Sequence, residues 1–417
     1  MAELKADVLV LGAGMVGVSA ALHLQKRGRN VVLIDRNDVA GEETSYGNGG
    51  LIECASVFPY MFPRNVGEIL RYAFLRAPQV NYHFRDLPAF LPWLARYFLA
   101  SSPQRALHSA MAELPLIQRS LIEHEALIEE ANVPELLRRT GWIKLFRSEA
   151  TLAAALKDLK RAGEHGVTGE VLDGPAVIAR EPHLTGEFSG AIHFPAPGFV
   201  PDPGGLAKAY AALFGRKGGR YLVGDARTLE QSGARWKVAT LEGTITARDV
   251  VVAMGPWSDQ IFGPLGYSIP LQVKRGYHLH LKPGGNAVLN HPVLDTDQGF
   301  LLAPMTRGIR LTTGAEFAHR DAPPTPVQVE RALPRAHQLF PLDGPVDAKP
   351  WMGARPCLPD MLPVIGKAPR HAGLWFDFGH QHHGLTLGPA TGRLVAELMT
   401  GETPFADARP FAAERFG

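Results

Sequence analysis

The stretch ADVLVLGAGMVGVSAALHLQKRGRNVVLIDR, Ala6 to Arg36, decides the fold. It opens on Val8 to Leu11, a short apolar run of buried-strand type. Gly12, Gly14 and Gly17 follow directly as G-x-G-x-x-G. Val16, Ala20, Ala21 and Leu24 recur at helical spacing, and Gly28 ends that helix. Val31 to Ile34 predict a second strand, closed by Asp35. Each part has a task. Gly12 permits the tight turn, Gly14 lets backbone approach a pyrophosphate, and Gly17 lets helix and strand pack closely. The helix start at Met15 and Val16 offers unpaired N–H groups and a positive dipole end to phosphates. Asp35, with Arg36 beside it, can accept hydrogen bonds from ribose hydroxyls. A lone glycine triplet is weak; strand, turn, helix, strand and acid in order predict a dinucleotide site. The pattern does not separate FAD from NAD.

The chain of 417 residues is long enough for two or three domains and a large core. Its 46% hydrophobic and 20% charged residues read as an ordinary globular protein. A net charge of +2 with dispersed basic residues argues against nucleic acid as partner. Two cysteines, Cys54 and Cys357, supply neither a disulfide framework nor a zinc module. No apolar run reaches the roughly 20 residues a bilayer requires, and an ordered motif by Asp7 leaves no room for a signal peptide. A cytoplasmic setting is expected. The segment FLPWLARYFLA puts Phe90, Leu91, Leu94, Phe98 and Leu99 in an apolar stripe. The plain expectation is a packed helix; a patch peripheral to the inner face of a membrane, or on a partner subunit, is the alternative.

The stretch GEETSYGNGGLIE, Gly41 to Glu53, is small and polar where an NAD domain continues its βαβ pattern. Here the sequence resembles the D-amino acid oxidase superfamily of flavoenzymes, and within it the D-amino acid dehydrogenase and glycine oxidase branch. In that family a T-S-x-x-N-x-G segment wraps the flavin ring. Thr44, Ser45, Asn48, Gly49 and Gly50 occupy those places, followed by Leu51. Gly218 to Ser258 alternates short strands with turns and ends on Val250 to Ala253, similar to the meander and closing strand of the family's FAD domain. The resemblance implies that backbone at Ala226 and Arg227 meets the adenine, and that Ala253 and the Gly255 turn pass close to the cofactor. GARPCLPDMLPVIG matches R-P-x-x-x-D-x-x-P-x-I-G through Arg355, Pro356, Asp360, Pro363, Ile365 and Gly366. GHQHHGLTLGPATGRLVAELM resembles the family's closing G-H-x-x-x-G-x-x-x-x-P-x-x-G element.

The implied fold is α/β: a Rossmann-like FAD-binding domain of the glutathione reductase type, with an inserted α+β substrate domain on an antiparallel sheet. The FAD-binding domain is expected from 1–82, 196–268 and 350–417, and the substrate domain from 83–195 and 269–349. Gly388 to Met399 carries Leu394, Val395 and Leu398 in a helix pattern. Its start and the preceding turn, His382, His383, Gly384, Leu385 and Thr386, are expected at the pyrimidine end of the flavin, where N–H groups stabilise negative charge. Three histidines within four positions, His380, His382 and His383, are then loop side chains near substrate and not metal ligands. His278 and His280 share one strand face, but no third ligand for a metal is identifiable. No metal is expected.

The chemistry implied is oxidation of an amino acid to the imino acid by hydride transfer to flavin N5. Such a site has to hold the substrate carboxylate in position, and a planar arginine fork does so best. Arg355 matches the arginine that clamps the carboxylate in glycine oxidase. Arg275 and Tyr277 rank second as catalytic candidates, with His382 beside them. Phe300 stands where glycine oxidase has a substrate-binding tyrosine. Cys357 is misplaced for the covalent flavin bond of sarcosine oxidases, so FAD is expected to be non-covalent. Oxygen-using relatives carry a lysine in the LLAPMTRGIRLTTGAEF region, which here holds only Arg307 and Arg310. The expected activity is therefore that of a D-amino acid dehydrogenase, with a D-proline-like substrate as one option and a quinone or partner protein as electron acceptor. The alternatives are a glycine- or sarcosine-type oxidase and the flavin subunit of a heteromeric opine or hydroxyproline dehydrogenase.

Overall fold

A computed structural model describes residues 4–74 and 77–417. The first strand, β1 (Leu4–Leu11), turns at Gly12 into helix α1 (Met15–Lys26), which returns to β2 (Val31–Asp35). Gly12 has φ +102°, and a Cβ there would sit 2.6 Å from the Ala253 carbonyl oxygen. A Cβ at Gly17 would collide with the Gly12 carbonyl, so this glycine sets how closely α1 packs on β1. The long strand β3 (Arg220–Ser232) continues the parallel sheet beside β2, then folds into a meander with β4 (Arg235–Thr240) and β5 (Gly243–Val252). β5 returns to pair in parallel with β1. At the far edge β6 (Val364–Lys367) lies antiparallel to β7 (Leu374–Phe378), which pairs in parallel with β5. β7 leads into the last long helix, α2 (Gly384–Thr400), packed along α1. The apolar strand runs seen in the sequence are thus buried on both faces, as a parallel sheet requires.

The helix at the end begins four residues before the expected Gly388. Its first turn holds Gly384, Leu385 and Thr386, and Pro389 is accommodated inside it. Pro389 sits in the second turn, and the Leu385 carbonyl that its missing N–H leaves free is met by His124 Nε2 instead (2.7 Å).

A second, mostly antiparallel sheet is centred on the strand Gln272–Pro283. That strand pairs with Trp351–Cys357 on one side and Gly308–Thr312 on the other. The sheet continues through Phe300–Met305 and Val293–Asp295 to Trp142–Phe146. Two strands near the expected domain limits, Val80–Tyr82 and Trp351–Cys357, also pair within this sheet. The aromatic helix Leu87–Ala100 buries Phe90, Trp93 and Tyr97, while Leu91 and Leu99 are exposed. The buried stripe is therefore not the one expected. The aromatics at i, i+3 and i+7 face the body, and Trp93 Nε1 donates to the Pro270 carbonyl (3.0 Å). Among the described residues no helix is long and apolar enough to cross a membrane.

Candidate active site

A cavity of about 790 Å³ runs between the two sheets. One end is walled by Asp35, Arg36, Ala226 and Arg227, the other by Arg355, Tyr277 and His382. Gly12, Gly14, Met15 and Val16 line it from the first turn, and Ala253 and Gly255 from the end of β5. Thr44, Ser45, Asn48, Gly49 and Leu51 line it from the following loop, Gly384 and Leu385 from the start of α2.

Local hydrogen bonds shape this wall. Asp35 accepts from Ala13 N (2.7 Å) and Asn37 N (2.9 Å), which ties the second strand to the glycine turn. Met15 N donates to Ser45 Oγ (2.9 Å). Thr44 Oγ1 donates to the Ala354 carbonyl (2.9 Å) and fixes the loop to the second sheet. Arg310 donates to the Asn48 carbonyl and to that of Tyr46 (3.3 Å), and Arg307 pairs with Asp347 (2.9 Å). Both arginines of the lysine-free segment are therefore committed. At the open end Arg36 stacks over Trp257 at 4.1 Å, and Arg227 pairs with Asp225 at 2.8 Å. α2 begins without a side-chain cap and without an acid in its first turn, so its N–H groups and dipole face the cavity through Gly384 and Leu385.

Five expected site residues stand behind the wall rather than on it. Gly17 lies in the helix–strand contact. Gly50 has φ +84° and abuts Val200. His383 is the residue before α2, its ring 3.9 Å from that of His382. Thr386 is a fastener: its Oγ1 accepts from Glu53 N and donates to the Leu51 carbonyl, both at 3.1 Å. Arg275 is fully buried and paired with Glu316, its Nε donating at 2.8 Å. Tyr277 Oη donates to the same carboxylate (2.6 Å). The carboxylate occupies the Arg275 guanidinium, so this arginine is structural and not a second substrate clamp.

Arg355 differs. Its Nη1 donates to the Gly314 carbonyl (3.0 Å) and more weakly to that of Arg275 (3.4 Å), and it has no ion pair among the described residues. Burial presses its pKa down, and the neighbouring Cys357 thiol offsets this only in part. Gly276 makes room: a Cβ there would collide with the guanidinium.

His278, Trp351, Trp257 and Glu53 also line the cavity, and sequence reasoning missed them as wall residues. The Trp351 indole fills the space left by Gly47 and Gly353 and stacks on His278 at 4.8 Å. That glycine pair was the available signal. Phe300 is buried in the second sheet's core, away from the wall.

The third group missing beside His278 and His280 is Asp347, brought in from a distant loop. It accepts from His280 Nδ1 (2.6 Å), while Arg310 Nε donates to His280 Nε2 (3.0 Å). Both His280 nitrogens are thus engaged, and two arginines adjoin the cluster. Of the three histidines near the end, His380 contacts Thr391 (3.0 Å) and Asp377 (3.3 Å). His382 and His383 group instead with Glu53, their ligand-type atoms all within 4.8 Å.

Residues 7–398 match the model of the DAO family, described as FAD dependent oxidoreductase. The chain is 32% identical over 416 residues, 98% of both chains, to a D-amino-acid oxidase of Bradyrhizobium diazoefficiens. It is 31% identical over 405 residues to a D-amino acid dehydrogenase of Xylella fastidiosa, covering 94% of this chain and 91% of that one. In structure it resembles glycine oxidase from Geobacillus kaustophilus, with TM-score 0.77, 23% identity and 98% of both chains covered. That last likeness concerns the fold.

Proposed function

The chain belongs to the DAO family of FAD-dependent oxidoreductases, and from that premise we propose that it oxidises a D-amino acid to its imino acid and delivers the electrons to an acceptor other than oxygen. The cavity fits FAD. The glycine turn admits no Cβ at Gly12, Asp35 on the wall supports a role with ribose hydroxyls, and an uncapped helix start faces the opposite end. Cys357 is buried and off the cavity wall, which supports non-covalent binding. Bound FAD supplies the two-electron acceptor. The chain's own groups do the positioning: Arg355 holds the substrate carboxylate, and the closed end of the cavity excludes water from the reacting carbon.

The observation that carries this reading is the half-buried Arg355 guanidinium on the wall without an acidic partner among the described residues. A desolvated cation of this kind awaits an anion. Removing one partner of such a pair costs roughly 3–5 kcal/mol. Arg355→Ala is therefore expected to lower kcat/KM by about two to three and a half orders of magnitude, at about 1.4 kcal/mol per factor of ten. Arg355→Lys recovers part, because an ammonium lacks the two-pronged geometry. FAD content stays near wild type, and acid precipitation releases the FAD.

The test is a panel of D-amino acids, L-amino acids and N-substituted glycines, read by dye reduction and by oxygen uptake. Dye reduction with D-amino acids in clear excess over oxygen uptake is the expected result. The name of the Bradyrhizobium relative favours a second reading, an oxidase, for which the two rates are equal. Exposed Val66, Leu70 and Leu99 support contact between the first reading's acceptor, a quinone or partner protein, and this side of the molecule. An Arg355→Ala enzyme within threefold of wild type while holding FAD places the clamp elsewhere.

A further inference from the structure

We propose that Glu53 receives the substrate's amino group and takes its proton, opposite the carboxylate held by Arg355. The inference rests on the amino acid reading above. An amino acid arrives as a zwitterion, with opposite charges two bonds apart, and a closed cavity has to answer both. Arg355 answers one. The wall carboxylates Asp35, Glu42, Glu43 and Asp225 belong to the Arg36 and Arg227 end, and Asp377 is fully buried against His380. Glu53 is the acid on the wall beside His382. His382 also links Glu53 to the clamp, since the Arg355 charge bears on its imidazole.

Glu53 is held for this task. Its N–H bonds Thr386 in the first turn of α2. The Nε2 atoms of His382 and His383 are buried without hydrogen-bond partners among the described residues. Burial holds both imidazoles neutral, His383 at about 4. The charge of Lys144, from the strand Trp142–Phe146, acts on the carboxylate, and Ser56 hydrogen-bonds it. Cys54 and Tyr60 also feel its charge, and Lys274 bears on His382. The same three ligand-type groups suit a divalent cation in number, but Lys144, Arg355 and Lys274 surround them. A metal ion brings only more positive charge, whereas the zwitterion brings the carboxylate that neutralises Arg355.

An N–H bond of the ammonium breaks and its proton goes to a Glu53 carboxylate oxygen, leaving a lone pair on nitrogen. That pair forms the C=N bond as the Cα hydrogen leaves with two electrons for FAD, giving the imino acid. Glu53 acts only when ionised. Burial raises its pKa, while Lys144 and the hydrogen bond with Ser56 pull it back, so the rate falls as pH drops through that value.

Anaerobic stopped-flow bleaching of the holoenzyme by its best D-amino acid, from pH 5 to 9, tests this. In wild type the second-order rate constant falls tenfold per pH unit below the Glu53 pKa. Glu53→Gln is expected to be 10²- to 10⁴-fold slower at pH 7, the usual range for a lost acid–base group, and to lack that limb. Its affinity for benzoate, a carboxylate with no amine, does not fall. Lys144→Met moves the limb to higher pH. A Glu53→Gln enzyme within threefold of wild type, its acidic limb in place, overturns the assignment. Should Glu53→Gln not hold FAD, a limb unmoved in Lys144→Met overturns it equally. A wild-type flavin bleached by no amino acid at all removes the functional reading, and this inference with it.

Discussion

Gly276 is the residue on which the clamp geometry turns. It stands on the strand beside Trp351–Cys357, in register with Gly353, and the Arg355 guanidinium occupies the space a side chain would take. Its backbone φ is not in the left-handed region, so alanine fits the strand itself. The contact is the far end of a flexible side chain, so the guanidinium moves and the fold stays. Gly276→Ala is expected to weaken benzoate binding at least tenfold while FAD content and Tm remain near wild type. A flavin-absorbance titration reads the first and thermal unfolding the second; unchanged benzoate affinity would show the guanidinium finding its place despite the methyl group. Arg355, the proposed clamp, could be picked out from the sequence because R-P-x-x-x-D-x-x-P-x-I-G is a local pattern. Its freedom was not. Arg275 and Arg355 look alike as letters, and only the fold brings Glu316 to one and leaves the other without an acid.

Helix α2 shows what governs the elements. Gly388 and Gly392, four residues apart, turn toward α1: a Cβ at Gly392 would lie 2.7 Å from Ser19 and Ala20 backbone, one at Gly388 2.9 Å from Met15. The two helices cross at backbone contact, and both aim their starts at the cavity. Gly392→Ala is expected to cost about 1–3 kcal/mol through overpacking and to weaken FAD retention, because the wedge tilts a wall of the site. Gel filtration followed by the flavin-to-protein absorbance ratio checks this; full FAD at an unchanged Tm would show the crossing to be slack. The start of α2 is pinned from behind by His124, whose Nε2 meets the Leu385 carbonyl (2.7 Å) and whose Nδ1 meets Tyr210 Oη (3.0 Å). Burial lowers this imidazole to about 4, below its unfolded value near 6.5. The unfolded chain therefore binds the proton first as pH falls, and stability is lost between about 6.5 and 4, by up to about 1.4 kcal/mol per unit. Compared with His124→Gln by urea unfolding, the wild type's advantage should shrink over that window. An advantage constant from pH 7 to 4.5 contradicts it. The glycines and the helix period were readable from sequence. The helix start was not, because Pro389 and the small residues of GLTLGP read as loop, and His124 is over 250 residues from its partner carbonyl.

At the scale of the whole molecule the cavity is the seam between two sheets. Its wall takes residues from Gly12 to Glu53, Val223 to Gln260, Gly276 to Thr312 and Trp351 to Leu385. Sequence order scatters these segments, so the glycine turn and the closing element could be read locally, while the wall of Glu53, His278 and Trp351 could not. Residues of both sheets line the cavity, so FAD held there would bridge the seam that apoprotein leaves unfilled. A ligand that binds only the folded chain stabilises it by RT ln(1 + [L]/Kd), about 2.7 kcal/mol at a hundredfold excess over Kd. The apoprotein Tm is therefore expected to rise steadily with the logarithm of added FAD. The effect should be present in wild type and in Arg355→Ala alike, since that residue is proposed to hold substrate and not FAD. It should be lost in Gly12→Val, whose side chain meets the Ala253 carbonyl at the turn. Near-ultraviolet circular dichroism during heating follows the tertiary packing directly. A Tm independent of FAD from zero to a hundredfold excess would mean that the seam holds without the cofactor, and that the two sheets owe their arrangement to their own contacts alone.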